Sequence, residues 1–293
     1  MSYPQHQNCL ICGSDKLTAL PEYEETSLNK CQECSFVFAR NIPSKNELEE
    51  YYSGKNYNRT NYLSPITINR YEELLDEFEK YRKTNKILDV GAGCGFLLKI
   101  AKKRGWEVYG TELTDDAVAH CEAEGINMRK GNLNGVGFDP NMFDIITSIE
   151  VIEHINNPND LVKEMHQILR PGGKVYMTTP NFNAVLRYRL KSKYDVIEFP
   201  LHLCYYTAKT LRNLYTKHGF EVEKIRTTGI SLTRLRTSKG KSNQDYVSET
   251  SDDEMIRYRI ERNWFLRMGK GITNSFLNLF KIGDSLKASF IKK

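Results

Sequence analysis

The chain has 293 residues, long enough for one full α/β domain with additions. Its composition is that of an ordinary soluble protein, and a net charge of +5 over this length is too small to imply nucleic acid as a partner. No stretch approaches the roughly 18 apolar residues of a membrane span. Met1–Leu10 has neither a basic flank nor an apolar run, so the reading places the protein in the cytoplasm, where disulfides are not expected.

Four of the cysteines fall into two C-x2-C pairs, Cys9/Cys12 and Cys31/Cys34, at the separation of a zinc ribbon. Four thiolates around one tetrahedral ion leave no open position, so a zinc held there is structural. Residues 1–40 are read as this ribbon, a segment too small to bury a sufficient core without the metal. Cys94, Cys121 and Cys204 read as buried or incidental thiols. Residues 41–85 read as a helical lid or connector. Ser44 and Glu47 form a capping box for a short helix. Tyr51, Tyr52, Tyr57 and Tyr62 follow, either as packing groups or with Tyr52 or Tyr57 lining a ligand pocket. A second helix is expected from about Pro65 to Arg82, with Ile68, Tyr71, Leu74, Leu75 and Phe78 on one face.

From residue 86 strand and helix patterns alternate, which predicts parallel strands joined by crossover helices. Strands are expected at Lys86–Val90, Glu107–Thr111, Asn127–Lys130, Phe143–Ser148, Gly173–Thr178 and Phe220–Thr227. Helices are expected near Gly95–Arg104, Asp115–Glu124, Pro158–Leu169 and Ala208–His218. Arg170-Pro171-Gly172-Gly173 reads as a turn launching the fifth strand. Residues 230–283 read as an insertion: a polar, flexible loop over 237–254, then a helix with Ile260, Trp264, Met268, Ile272, Phe276 and Phe280 at spacing four. Gly269 and Gly271 should weaken or bend that helix. Packing of its apolar stripe onto the domain is the ordinary outcome. Its basic flanks with Trp264 and Phe265 offer peripheral membrane contact through 256–282 as the alternative, which would place the protein on the inner face of the membrane. Asp284–Ile291 alternates as a last strand, so the sheet domain comprises 86–229 and 284–293.

The organising stretch is Ile87–Phe96, a buried strand running into Gly91, Ala92, Gly93 and Gly95 and then a helix. Glycines there let the backbone turn sharply and approach a ligand, while the new helix points its first N–H groups at it. The spacing is G-x-G-x-G, not the G-x-G-x-x-G of a dinucleotide site. An acid about 20 residues on, Glu112, stands at the end of the second strand, where ribose hydroxyls are held. After the fourth strand comes Glu150-x-x-Glu153-His154, which on a helical turn would place all three on one face at the ligand crevice. Three readings stay open. His154 is a general base, or Glu150, Glu153 and His154 hold a divalent ion, or Glu153 and His154 brace the loop.

With Leu88-Asp89-Val90-Gly91-x-Gly93-x-Gly95, Glu112, Phe143-Asp144, Glu150-x-x-Glu153-His154, Leu169-x-Pro171-Gly172-Gly173, Thr179-Pro180-Asn181, His202 and Gly219-Phe220, residues 87–225 resemble the class I S-adenosylmethionine (SAM)-dependent methyltransferases that include the ubiquinone-pathway O-methyltransferases. The resemblance implies a Rossmann-like α/β fold, a mostly parallel seven-stranded sheet with its last strand antiparallel. It implies SAM as cofactor, with Asp89, Gly91, Ala92, Gly93 and Gly95 at the methionine end, Glu112 and Leu113 at the ribose, Asn132 and Leu133 flanking the adenine, and Ser148 beside them. Relatives often carry an acid where this chain has Asn132, whose amide can still accept or donate at the adenine edge. Some relatives use E-x-x-E-H with a later histidine for a metal, which would make Glu150, Glu153, His154 and His202 a second, Mg- or Mn-type site. The paired cysteines before motif I and Gly283-Asp284-Ser285-Leu286 near the C-terminus resemble methyltransferases that modify sugars or glycan intermediates.

The expected activity is methyl transfer to a hydroxyl of a small molecule, a saccharide or lipid-linked glycan intermediate. C- or N-methylation would use the same SAM site. The alternatives are a metal-dependent RNA 2′-O-methyltransferase, which the missing basic stripe disfavours, and a non-catalytic SAM-binding scaffold. The oligomeric state has no signature in the sequence.

Overall fold

The computed structural model describes residues 3–44, 46–48, 63–231 and 258–293. The tyrosines at 51, 52, 57 and 62 and the polar loop over 237–254 lie outside the described residues. At the N-terminus β1 (Leu17–Ala19), β2 (Leu28–Cys31) and β3 (Val37–Ala39) form an antiparallel ribbon. The Ser44/Glu47 capping box is present, each backbone N–H donating to the other's side chain. Helix α1 (Pro65–Glu79) follows, with Ser64 accepting from the Ile66 N–H as its N-cap and Pro65 in the first turn.

Next come β4 (Lys86–Val90), α2 (Phe96–Lys103), β5 (Glu107–Glu112), α3 (Asp115–Ala123), β6 (Asn127–Lys130), a single turn α4 (Leu133–Val136), β7 (Phe143–Ile149), α5 (Pro158–Ile168) and β8 (Leu169–Pro180). The chain continues with α6 (Val185–Leu190), the two-residue β9 (Cys204–Tyr205), α7 (Ala208–Lys217), β10 (Phe220–Thr228), α8 (Trp264–Phe280) and β11 (Ser285–Lys292). The main sheet has the order β10-β11-β8-β7-β4-β5-β6, and only β11 runs against its neighbours.

The central strands are apolar on both faces because helices cover both. Ile87 of β4 and Ile145 of β7 face a layer containing Leu75 and Phe78 of α1 and Leu97, Leu98 and Ala101 of α2. Their neighbours Leu88 and Ile146 point the other way, to Met165 of α5, Tyr215 of α7 and Phe290 of β11. Arg170–Gly173 is not the turn expected before the fifth strand. It bulges out within β8, whose pairing with β7 jumps from Phe143↔Leu169 to Ile145↔Lys174, and Gly172 takes φ +71. The bulge turns Arg170 back onto buried Asp144, whose other oxygen accepts the Lys83 and Asn85 N–H groups at 2.8 Å.

Two features depart from the sequence pattern. First, the ribbon does not stand alone: β3 pairs with β9, Val37 opposite Tyr205 and Phe38 opposite Cys204. Phe36 and Phe38 join the same core as Leu88 and Met165. Second, α8 runs unbroken through Gly269 and Gly271, and its apolar stripe faces outward. The face turned to the domain holds Leu277 with Asn274 and Asn278, whose Oδ1 atoms accept the Gly229 and Thr227 N–H groups at 2.9 and 3.1 Å. Asparagine oxygens match the backbone donors at the end of β10, and the stripe cannot. Among the described residues no helix is long and apolar enough to cross a membrane.

Candidate active site at the end of the parallel strands

Strands β4, β5 and β7 end at one edge of the sheet, and the turn after β4 opens a crevice there. A Cβ on Gly91 would lie 2.7 Å from Val151 Cγ2, so the backbone packs directly beneath the acidic loop. Gly93 has φ +54, and a Cβ on it would meet nothing within 4 Å, because that position opens into the cavity. Gly95 serves packing instead: a Cβ there would lie 2.8 Å from Ile126 Cδ1 and 2.9 Å from Cys121 Sγ.

Glu112, the last residue of β5, is buried and held at both oxygens. Oε2 accepts the Gly93 N–H at 3.0 Å and Oε1 the Leu113 N–H at 2.8 Å. Thr111 Oγ1 lies 3.4 Å from the Gly91 N–H, and the Thr111 carbonyl accepts the Ala92 N–H at 3.0 Å. A cavity of about 1170 Å³ extends from Gly91, Gly93, Glu112 and Leu113 past Asn132 and Leu133 to Glu150, Val151 and His154, with Pro43 and Leu48 also lining it. Asp89 is buried, and its Oδ1 accepts the Thr147 hydroxyl at 2.6 Å. Burial pushes its carboxyl up to about 7 against that hydrogen bond, and Glu112 adds to the rise. Ser148 Oγ, at the end of β7, is buried without a hydrogen-bond partner among the described residues.

The acidic loop is not a simple helical turn. Glu150 takes φ +54, and only Ile152–His154 forms a 3-10 turn. That kink gives the two acids different exposures while their side chains stay in hydrogen-bond contact. Glu150 is exposed at the crevice, its Oε1 accepting the Thr178 hydroxyl at 2.7 Å. Glu153 is turned inward, its Oε2 accepting the Thr179 hydroxyl at 2.9 Å. Burial pushes the Glu153 carboxyl well above the usual carboxylate range, and the Glu150 charge raises it further.

His154 and His202 lie face to tilted face with ring centroids 4.8 Å apart. His154 Nδ1 is 2.9 Å from the Leu201 carbonyl, and His202 Nδ1 is 2.6 Å from the Val196 carbonyl. A carbonyl only accepts, so each Nδ1 carries a proton, and in the neutral form of either ring the lone pair lies on Nε2; His154 Nε2 is 4.0 Å from Glu153 Oε1. One ligand atom each from Glu153, His154 and His202 lie within 4.8 Å of one another. Glu150 stands outside that group, so the expected four-residue set is drawn together as three.

Residues 62–225 match the family model described as a methyltransferase domain. The chain belongs to the class I SAM-dependent methyltransferases. Similar curated proteins are the ubiquinone biosynthesis O-methyltransferases of Pseudomonas fluorescens, 27% identical over 128 residues covering 41% of this chain and 53% of the relative, and of Coxiella burnetii, 34% identical over 107 residues covering 34% and 46%. The chain thus spans about half the length of the curated relatives it matches. Among solved structures, the fold is shared with phosphoethanolamine N-methyltransferase 2 of Haemonchus contortus in complex with SAM, at TM-score 0.56, 18% identity and coverage of 87% of this chain and 61% of that one. A SAM-dependent methyltransferase from Archaeoglobus fulgidus shares it too, at TM-score 0.53, 16% identity and coverage of 85% and 100%.

In this methyltransferase the crevice gathers Gly91, Gly93, Glu112, Leu113, Asn132, Leu133, Glu150 and His154. Asp89, Ala92, Gly95, Ser148, Glu153 and His202 do not line it. The sequence reading missed Thr111, Lys130, Asn156 and Leu203, which do. The alternation of β5 places Thr111 beside Glu112, but nothing in the local pattern singles out Leu203. Its N–H donates to the Glu153 carbonyl and its carbonyl accepts from the Ala39 N–H, both at 2.8 Å. On the ribbon, Cys9 Sγ and Cys34 Sγ are 3.4 Å apart and Cys12 Sγ and Cys31 Sγ 3.5 Å, all four within 4.8 Å. Those separations exclude disulfides, whose S–S bond is about 2.05 Å. They approach the roughly 3.8 Å between thiolates on a tetrahedral zinc.

Proposed function

We propose that this chain transfers a methyl group from SAM to a hydroxyl of a small-molecule acceptor, a saccharide or lipid-linked glycan intermediate. The observation that carries the reading is one cavity with two unlike walls. On one wall Glu112 is fixed by two backbone N–H groups beside the open Gly93. On the other stand His154, with its lone pair on Nε2, and Glu150. Glu112 and Leu113 would hold the ribose, Asn132 and Leu133 the adenine, and the turn at Gly91–Gly95, with Asp89 beneath it, the amino-acid end. SAM supplies an already activated methyl group on its sulfonium. The protein's tasks are then to align donor with acceptor, exclude water and take up the hydroxyl proton. His154 Nε2 is placed to take that proton, with its Nδ1–H held on the Leu201 carbonyl.

A second reading of the same residues rests on the cluster of Glu153, His154 and His202. Two imidazoles and one carboxylate form a donor set for a divalent ion of the Mn²⁺ type, which would orient the hydroxyl and lower its pKa. RNA as acceptor is disfavoured, because Glu112, Asp115, Asp116 and Glu150 line the crevice against a single lysine, Lys130, among the described residues. The ribbon thiolates Cys9, Cys12, Cys31 and Cys34 would hold a structural zinc.

Paired variants test the reading. Gly93→Arg fills the cavity from a left-handed backbone position and loses SAM binding in calorimetry, with circular dichroism separating that loss from misfolding. His154→Ala keeps SAM affinity and slows turnover by about tenfold or more. Retained SAM affinity in the first, or full turnover in the second, would remove the respective assignment. The acceptor is found by mass spectrometry of a deletion strain, as the metabolite that becomes lighter by one methylene. If the purified protein methylates no such metabolite, it is a SAM-binding scaffold.

A further inference from the structure

Helix α8 is built the wrong way round for a helix that packs only on its own domain. An amphipathic helix normally buries its apolar stripe and leaves polar residues outside. Here Asn274 and Asn278 dock on the end of β10, while Trp264 (64% exposed), Phe265 (71%), Ile272 (66%) and Leu279 (73%) point away, with Met268 and Phe276 between them. The row runs the length of the helix, about 25 Å at 1.5 Å per residue. Single exposed apolar residues are ordinary, but a continuous row of this size marks a contact surface.

Charge decides what the surface fits. Trp264–Phe280 contains no acidic residue, and the exposed Arg259, Arg262 and Arg267 border its N-terminal end. Glu261, the acid beside them, is paired with Lys270. The C-terminal end is continuous with α6, whose Val185 N–H donates to the Ile282 carbonyl at 3.0 Å. That short helix exposes Val185, Tyr188 and Arg189 and is followed by exposed Lys191 and Lys193. An apolar row with aromatic residues at its start and cations at both ends is the pattern of a helix lying in a lipid–water interface. We infer that α8, with the tip of α6, docks this protein on an anionic bilayer surface through Trp264, Phe265, Met268, Ile272, Phe276 and Leu279.

The placement has a functional direction. β8 ends at Pro180, which pairs with Ser285, the first residue of β11, and Thr228 at the end of β10 pairs with the same Ser285. Because β8 is parallel to β7 and β4, α8 docks at the edge of the sheet where the crevice opens. An acceptor anchored in that bilayer would meet the crevice without leaving the membrane. This deepens the lipid-linked reading of the acceptor and rests on it, whereas docking itself requires no acceptor and is measured without turnover.

The test uses the full chain with vesicles of phosphatidylcholine alone and of phosphatidylcholine mixed with phosphatidylglycerol. The wild type is expected to co-sediment with the anionic vesicles at least tenfold more than with the neutral ones. W264S/F265S/I272S/L279S, altered only at exposed positions, should lose that binding by tenfold or more. In the wild type, brominated lipid should quench Trp264, since the other tryptophan, Trp106, is buried. Failure to sediment with anionic vesicles, equal sedimentation of wild type and variant, or unquenched fluorescence overturns the inference. So does a dimer by light scattering that the fourfold variant dissolves, because the row would then belong to a second copy. A docked protein that methylates only water-soluble acceptors keeps the membrane surface and removes the lipid-linked substrate.

Discussion

The ribbon and α8 are both additions to one methyltransferase sheet, and they attach in opposite ways. The ribbon inserts Phe36 and Phe38 into the domain's own core and lends β3 to a strand from the far side of the chain. Helix α8 touches the domain through asparagine side chains and one buried leucine. A stripe of apolar residues states that something covers it, without saying what. In the ribbon the cover is this chain. In α8 it is not among the described residues.

Breaking the ribbon should therefore have the largest consequences. Cys31→Ser is expected to release zinc and to raise amide exchange through 9–39 and 203–206 by about a hundredfold, leaving α8 unchanged. Unaltered metal content by mass spectrometry would mean the thiols hold no ion. Asp89, buried near the end of β4 and outside the crevice lining, sets the pH baseline. Its folded pKa of about 7 lies above the unfolded value of about 3.9, so the native state keeps a proton that the unfolded chain releases. Stability from this group is complete below about pH 4, falls as pH rises towards 7, and stays low above it. Asp89→Asn should thus gain about 2–4 kcal/mol relative to wild type between pH 5 and pH 8 in denaturant titrations of the SAM-free protein. A pH-independent difference would refute the assignment.

The smallest effects belong to α8 and sharpen the contrast within one helix. Asn278→Ala leaves the Thr227 N–H without its acceptor and should cost about 1–2 kcal/mol. Leu279→Ser, one residue on, should change stability by no more than about 0.5 kcal/mol. If Leu279→Ser proves the more destabilising of the two in thermal unfolding, the stripe faces the domain after all.

The main sheet was legible because period-two alternation and two-sided burial leave long, strong patterns. β4 and β6 begin and end where the sequence put them, and β11 is shifted by one residue. The glycine turn and Glu112 were legible for the same reason: each sits where a strand stops. What escaped was short or set by distant partners. β9 has two residues and exists only because β3 lies beside it. The left-handed backbone at Glu150, which leaves its carboxylate exposed while that of Glu153 is buried, has no local signature, since glutamate rarely adopts that conformation. The orientation of α8 stayed open between inward packing and an outward apolar face, because periodicity finds an apolar face without saying what covers it. The four cysteines were read correctly as a cluster, but their spacing gave no hint that β9 completes the ribbon.

The peptide units at Leu203 tie two chemistries together. One neighbour is the carbonyl of Glu153, the other the amide of Ala39, so the cysteine ribbon and the acidic loop share a short rung. If the four thiolates hold zinc as proposed, losing the ion would reach the acidic loop through that rung, with every residue of the crevice itself unchanged.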